Sequence, residues 1–178
     1  LNEIIEKEEL GSFEIPKNMK YNIEYKLDFD VNSIDNDMEL TKIVFTIFDD
    51  FGLNKNFKIS NETMFGLIHD ISNSYLPVNY FNWKHAVNTL QYIAYILKQL
   101  NNEVNFTNEE ILSLFLAALF HDVDHDSLND IGLCFGFNNF IETKTDKRAL
   151  EILLNQASYL ELHHCNVAMK ILSKYEFI

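Results

Sequence analysis

From about residue 36 onward, the apolar positions of this chain recur at helical spacing. Leu40, Ile43, Val44, Ile47 and Phe48 share one face of a 3.6-residue period, which predicts a helix with one buried side. Asp35 or Asp37 stands where its cap is expected, and Gly52 closes it. Met64, Phe65, Leu67, Ile68 and Ile71 predict a second helix that begins near Ser60 and stops before Pro77. A third spans about 83–100, with Leu90, Ile93, Ala94, Leu97 and Leu100 directed inward. Thr107-Asn108-Glu109-Glu110 has the form of a capping box, in which the Thr hydroxyl and the Glu carboxylate each accept a backbone N–H. It opens a fourth helix whose apolar run ends at Phe120. Stretches near 146–155 and 157–174 have the same character. Nothing alternates long enough to demand a sheet, so the expected fold class is all-α. Residues 1–35 mix charge, Asn and isolated aromatics without a sustained period. They read as an arm or extended wrap over a domain at 36–178.

Composition narrows the function. At 178 residues the chain fits one domain with a real core, and 47% hydrophobic residues exclude a disordered tail. With 14 basic against 27 acidic residues the net charge is −13. Such a surface repels nucleic acid and anionic membrane, because phosphate binding needs clustered Lys and Arg. It would repel a nucleotide phosphate too, unless cations sit in the site. No apolar run reaches the roughly 18 residues of a membrane span, and Leu1-Asn2-Glu3 opens no signal peptide. Both ends read as cut. Cys134 and Cys165 form no CxxC pair, so both are expected to be buried thiols in a reduced, cytoplasmic setting.

The histidines carry the candidate chemistry. Five of the six fall in three short clusters, on predicted helices or at their ends. His121-Asp122 ends the strongly apolar helix, and His121 and His125 share a face if the turn stays helical. Asp122 and Asp124 add carboxylates. Adjacent imidazole and carboxylate suit Zn²⁺, Mn²⁺ or Fe, and a carboxylate can bridge to a harder ion such as Mg²⁺. His85 lies on another helix, and facing helices can bring such ligands together. The plainer reading of HDxDH is a helix C-terminus whose polar groups cap carbonyls. His69 reads as an ordinary surface or partly buried histidine.

Tyr80-Phe81-Asn82-Trp83-Lys84-His85-Ala86-Val87-Asn88-Thr89-Leu90-Gln91 resembles the signature helix YHNxxHAxxxxQ of class I cyclic-nucleotide phosphodiesterases. His121-Asp122-Val123-Asp124-His125 with Asn129 resembles that family's HDxxHxGxxN segment, and Ser158-Tyr159-Leu160-Glu161-Leu162-His163-His164 its SxLExHH segment. The three occur in the family's order, and the resemblance covers roughly residues 36–178. It implies a multi-helix bundle of the HD type, incomplete in this chain, that hydrolyses cAMP or cGMP to the 5'-monophosphate with two divalent metals. By the same resemblance His85, His121 and Asp122 are three ligands of the tighter metal, usually zinc. Asp122 also reaches a second metal, usually Mg²⁺ (or Mn²⁺), whose waters His125 binds, and Glu161 accepts a hydrogen bond behind the ligands. Packing and helix-to-helix hydrogen bonds explain His163 and His164 at least as well as a direct role. Asn82, Trp83 and Gln91 read as a polar tie, a core anchor and a helix contact.

Three departures qualify that expectation. Phe81 occupies the position of the family's proton-donating histidine, and a benzyl group cannot protonate the leaving O3'. General acid catalysis is typically worth ~10²–10⁴-fold, and Lys84, three residues on, is expected to face elsewhere. Asp130 to Phe137 stand between the HDxxH segment and Asn138-Asn139-Phe140, which resembles the NN(A/S)F that normally follows directly; Ser127 stands near the usual glycine. The family's fourth ligand, an aspartate, and its purine clamp belong to a later half that this chain lacks. Its absence leaves an apolar face for that half or a protein partner to cover. Two readings follow: an impaired phosphodiesterase, or a catalytically degenerate subunit used for assembly or sensing. An unrelated HD phosphohydrolase would explain His121-Asp122 but not the His85 helix.

Overall fold

The computed structural model describes residues 15–100, 103–125 and 159–175, with six helices and no strand among them. Several expectations lie outside the described residues. They concern residues 1–14 of the arm, the helix near 146–155, Ser127, Asn129, the Asp130–Phe137 segment, Cys134, Asn138-Asn139-Phe140 and Ser158.

The first helix, α1 (Asp37–Asp50), is the hub. From Leu40 to Phe48 every residue but Lys42 is buried, so this helix is enclosed on nearly all sides. Its cap is Asn36, whose side chain accepts from the Met38 N–H at 2.9 Å, and not Asp35 or Asp37. All three residue types can cap; Asn36 is the one with extended backbone (φ −110°, ψ 115°) just before the first turn. Gly52, at φ 72°, ends α1 in the left-handed conformation that costs glycine no Cβ clash. It leads into the single turn α2 (Leu53–Asn56).

Two further helices flank the hub. Helix α3 (Asn61–Asn73) is capped by Ser60, which accepts from the Thr63 N–H at 3.1 Å. Helix α4 (Trp83–Leu100) buries Trp83, Ala86, Val87, Leu90, Gln91 and Ala94. Ile93, Leu97 and Leu100, expected inward, are only half-buried along its flank. The capping box forms as expected on α5 (Asn108–Phe120): Thr107 Oγ1 accepts from Glu110 N–H at 3.2 Å, and Glu110 Oε2 from Thr107 N–H at 2.8 Å. The last described helix is α6 (Tyr159–Leu172). Helix α1 packs on α3 and α4, α4 lies along α5, and α6 reaches α3 and α5. Phe48 and Phe115 meet at 5.4 Å between ring centres, and Phe51 meets Phe115 edge-on at 5.0 Å. Full burial of such a side chain stabilises the fold by about 1.5–3 kcal/mol.

Residues 15–30 form no helix and lie over this bundle. Ile15, Met19, Tyr21, Ile23, Tyr25 and Phe29 pack their side chains against the core. Thr46 Oγ1 accepts from the Tyr21 N–H at 2.9 Å, and buried Gln91 donates to the Lys26 carbonyl at 3.0 Å. Gln91, read as a helix contact, thus ties its helix to the arm. The arm's irregular backbone leaves carbonyls unpaired, and a buried amide donor is best satisfied by one of them.

Candidate metal centre

Two hydrogen bonds fix the end of α5 to the end of α3. Tyr75 Oη donates to the Leu119 carbonyl at 2.9 Å, in the last turn whose carbonyls lack helical partners. The Asp124 N–H donates to the Ser74 carbonyl at 3.0 Å. Asp124 itself adopts φ 58°, a left-handed conformation that aspartate tolerates better than most residues. The His125 N–H donates to the Asp122 carbonyl at 3.2 Å, and the His125 side chain is buried.

His85 comes from the first turn of α4. Asn82 caps that helix, its Oδ1 accepting from the His85 N–H at 3.1 Å while its Nδ2 donates to the Val78 carbonyl at 2.8 Å. The expected polar tie is thus also the device that orients His85. Trp83, the expected anchor, is buried 6.0 Å from the Tyr75 ring.

His85, His121 and Asp122 converge. His85 Nε2 lies 3.2 Å from His121 Nε2 and 3.2 Å from Asp122 Oδ2, and His121 Nε2 lies 3.0 Å from the same oxygen. A tetrahedral zinc with bonds of about 2.0–2.1 Å has ligand edges of about 3.3–3.4 Å. The three atoms therefore make one face of such a tetrahedron to within a few tenths of an ångström. His121 Nδ1 lies 2.9 Å from the Ala118 carbonyl and must donate to it. That assigns its tautomer and turns Nε2 towards the cluster, the usual arrangement behind a ligating histidine.

Electrostatics supports the same reading. The hydrogen bond to Asp122 raises the His121 pKa, with burial opposing. Burial would push the Asp122 carboxyl up, but the hydrogen bond and charge of His121 outweigh it and hold it below the ordinary range. His85 is lowered, first by burial and then by the charge of His121. Protons and a cation would compete for these ligand atoms.

A second group shares Asp122. One ligand atom each from Asp122, His125 and His164 lie within 4.8 Å of one another. His125 and His164 are buried, and His164 Nδ1 donates to the Val123 carbonyl at 2.7 Å. His163, beside it, lies 2.9 Å from Asp124 Oδ2.

Residues 80–178 match the family model described as 3'5'-cyclic nucleotide phosphodiesterase. The chain belongs to that family. It is 34% identical over 147 residues to a protein of Takifugu rubripes named dual 3',5'-cyclic-AMP and -GMP phosphodiesterase 11A, covering 83% of this chain and 15% of that protein. It is 31% identical over 167 residues to a cGMP-specific 3',5'-cyclic phosphodiesterase of Drosophila yakuba (93% of this chain, 13% of that one). The corresponding protein of Drosophila melanogaster is 32% identical over 154 residues (86% and 12%). The chain thus spans only 12–15% of the length of these relatives.

Within this chain the other singled-out residues fall as follows. Phe81 lies flat on His125, rings 4.0 Å apart and 12° from parallel. Lys84 turns away, donating to the Asn32 carbonyl and to Asp35 Oδ1, each at 3.1 Å. Glu161 is exposed in the first turn of α6, and His69 is exposed on α3. Cys165 is exposed, not buried: His164 takes the inward face of α6, and the next residue points about 100° away. Asp124 and His164 gain a definite place that spacing alone left open. Which of His163 and His164 faces inward depends on how α6 meets the end of α5, and adjacent residues carry no periodic signal for that.

Proposed function

We propose that this chain is the metal-binding part of a 3',5'-cyclic-nucleotide phosphodiesterase catalytic domain. The reaction is hydrolysis of cAMP or cGMP: water adds at phosphorus, the P–O3' bond breaks, and O3' takes a proton to leave the 5'-monophosphate. The single observation that carries this reading is the triangle of His85, His121 and Asp122 ligand atoms, 3.0–3.2 Å on each side. Those residues would hold the tighter ion, zinc in our reading, and Asp122 would share a second divalent ion. Ions bound there supply positive charge to phosphate oxygens and acidify water. They also offset the −13 charge that would otherwise repel the substrate. What the chain's own residues do is position and polarise. The Ala118 carbonyl fixes the His121 tautomer, Asn82 orients His85, and Tyr75 holds the helix end.

Proton donation to O3' is the weak step. Phe81 has no acidic hydrogen, and Lys84 is engaged by Asn32 and Asp35. Turnover reduced by about 10²–10⁴-fold follows unless solvent supplies the proton. The same observation favours a second reading, a degenerate subunit that retains the fold and the ions without the reaction. The resemblance implies a fourth ligand and a purine pocket as well, and this chain spans 12–15% of its relatives' length. We place the protein in the cytoplasm, where a free thiol such as Cys165 stays reduced.

The deciding experiment is hydrolysis of cAMP and cGMP at high protein concentration with Zn²⁺ and Mg²⁺, against Asp122→Asn. Slow turnover that disappears in the variant is the expected result. Equal rates in both would retire the enzyme reading in favour of the degenerate subunit.

A further inference from the structure

Helix α4 carries His85 in its first turn, and the arm is fastened along its flank at three points. Lys84 Nζ donates to the Asn32 carbonyl and to Asp35 Oδ1, each at 3.1 Å. Gln91 Nε2 donates to the Lys26 carbonyl at 3.0 Å. Lys98 Nζ stands 5.3 Å from the centre of the Tyr25 ring. Lys84, Gln91 and Lys98 follow one another at intervals of seven residues. Seven residues are close to two helical turns, so the three form one stripe about 21 Å long. Their partners fall in number as the helix rises, so the arm runs antiparallel to α4.

The fastenings differ in what lies beside them. Gln91 and Lys98 hold stretches of α4 that carry no member of the His/Asp cluster. Lys84 directly precedes His85. Successive helical residues point about 100° apart, so Lys84 grips the arm while His85 meets His121 and Asp122. The arm is firm at that place. Val31–Ser33 form a 3-10 turn in which Val31 is fully buried and Asp30 accepts the Asn32 N–H at 3.0 Å. Asp35 is 95% exposed, so its ion pair with Lys84 contributes little, and the Asn32 carbonyl is the partner that directs the lysine.

We propose that Lys84 is a positioning residue through which docking of the arm sets the place of His85. The arm is then a strap: a contact that draws it off α4 loosens one ligand and weakens ion binding. This rests on the reading of His85 as a metal ligand and adds the regulation of that site. Coupling between two sites is reciprocal, so ion binding must tighten the arm by the factor with which the arm tightens ion binding. An exposed fastening of this kind is worth roughly two- to fivefold.

The test reads both sides on the full chain. Calorimetric titration gives the Zn²⁺ affinity, and hydrogen exchange of the Ile34 N–H, which donates to the Val31 carbonyl at 3.1 Å, reports arm docking. In the native chain Zn²⁺ should slow that exchange roughly two- to fivefold. Lys84→Met keeps the stem and removes the donor. Its affinity should fall by the same factor, and its Ile34 exchange should no longer respond to Zn²⁺. Lys84→Arg, which still donates, should restore both. Lys98→Met loosens the arm at the far end of the stripe and should bind Zn²⁺ as the native chain does. Zn²⁺ binding with Ile34 exchange unmoved, or native affinity in Lys84→Met, would overturn the strap and leave the metal reading intact. An equal loss of affinity in Lys98→Met would mean general loosening of α4 and would overturn it too. No Zn²⁺ bound by the native chain would remove the strap together with the assignment of His85 as a ligand.

Discussion

The surroundings of α1 and the end of α5 solve opposite problems. Around α1, order comes from volume: Leu40, Ile43, Val44, Ile47 and Phe48 are at most 1% exposed and touch other hydrocarbon. At the end of α5, order comes from direction. The Tyr75 hydroxyl, the Ala118 and Val123 carbonyls and the Asn82 amide each aim or anchor a segment of the His/Asp cluster. Apolar packing is tolerant of which neighbour fills a space, while a hydrogen bond requires one atom at one place. The two regions should therefore fail differently. Loss of packing should lower stability whether or not metal is bound, and loss of an aiming bond should lower the metal-dependent part.

The largest expected effect lies in the hydrocarbon region. Phe48 is fully buried against Phe115, and Phe48→Ala removes most of that contact. A loss of about 3–5 kcal/mol is expected from transfer and cavity terms together. Denaturant melts of native and variant chains, in excess Zn²⁺ and in chelator, should give the same difference in both conditions. A larger loss with Zn²⁺ would mean that the core and the site are one cooperative unit, and the comparison would collapse.

That division also explains what could be read from residues alone. The helices around α1, α3 and α5 were visible because buried positions repeat at the helical period, and the Thr107 box because its two bonds are local. His85, His121 and Asp122 came from their types and spacing within a motif. The partner of Gln91 escaped, because it is the Lys26 carbonyl on an irregular segment, and irregular backbone has no period to extrapolate. Asn36 rather than Asp35 or Asp37 became the cap through a backbone torsion that three similar side chains could equally accompany. Cys165 was misjudged by residue type: cysteines are usually buried, but here the neighbouring His164 holds the inward position. The contact of the Phe81 ring with the His125 ring was the least legible, because it joins two distant segments and no spacing encodes it.

Tyr75→Phe acts on the boundary between the regions. It keeps the buried ring beside Trp83 and removes only the hydroxyl that donates to Leu119. A buried carbonyl left unsatisfied costs about 1–3 kcal/mol. Because Leu119 precedes His121 by two residues, the helix end should loosen at the proposed ligands. Calorimetric titration with Zn²⁺ should therefore show weaker binding in addition to the lower melting point. An unchanged affinity would mean that the Asp124–Ser74 bond alone holds the segment, and that the tyrosine belongs to the core.

The smallest effect sharpens the contrast most, because it enters the same helix from its other end. Thr107→Ala removes the side chain that accepts the Glu110 N–H, while the Glu110 carboxylate can still reach back to the backbone. A loss of roughly 1 kcal/mol is typical for such a cap. The bonds that aim His121 sit eleven and twelve residues further along the chain, where the Ala118 carbonyl and Tyr75 act independently of the cap. Zn²⁺ affinity should then equal that of the native chain, with only the melting point lowered. If affinity falls by the same fraction as it does in Tyr75→Phe, α5 transmits a change at its first turn to its last. The histidines would then be held by the rigidity of the whole helix and not by the bonds at its end.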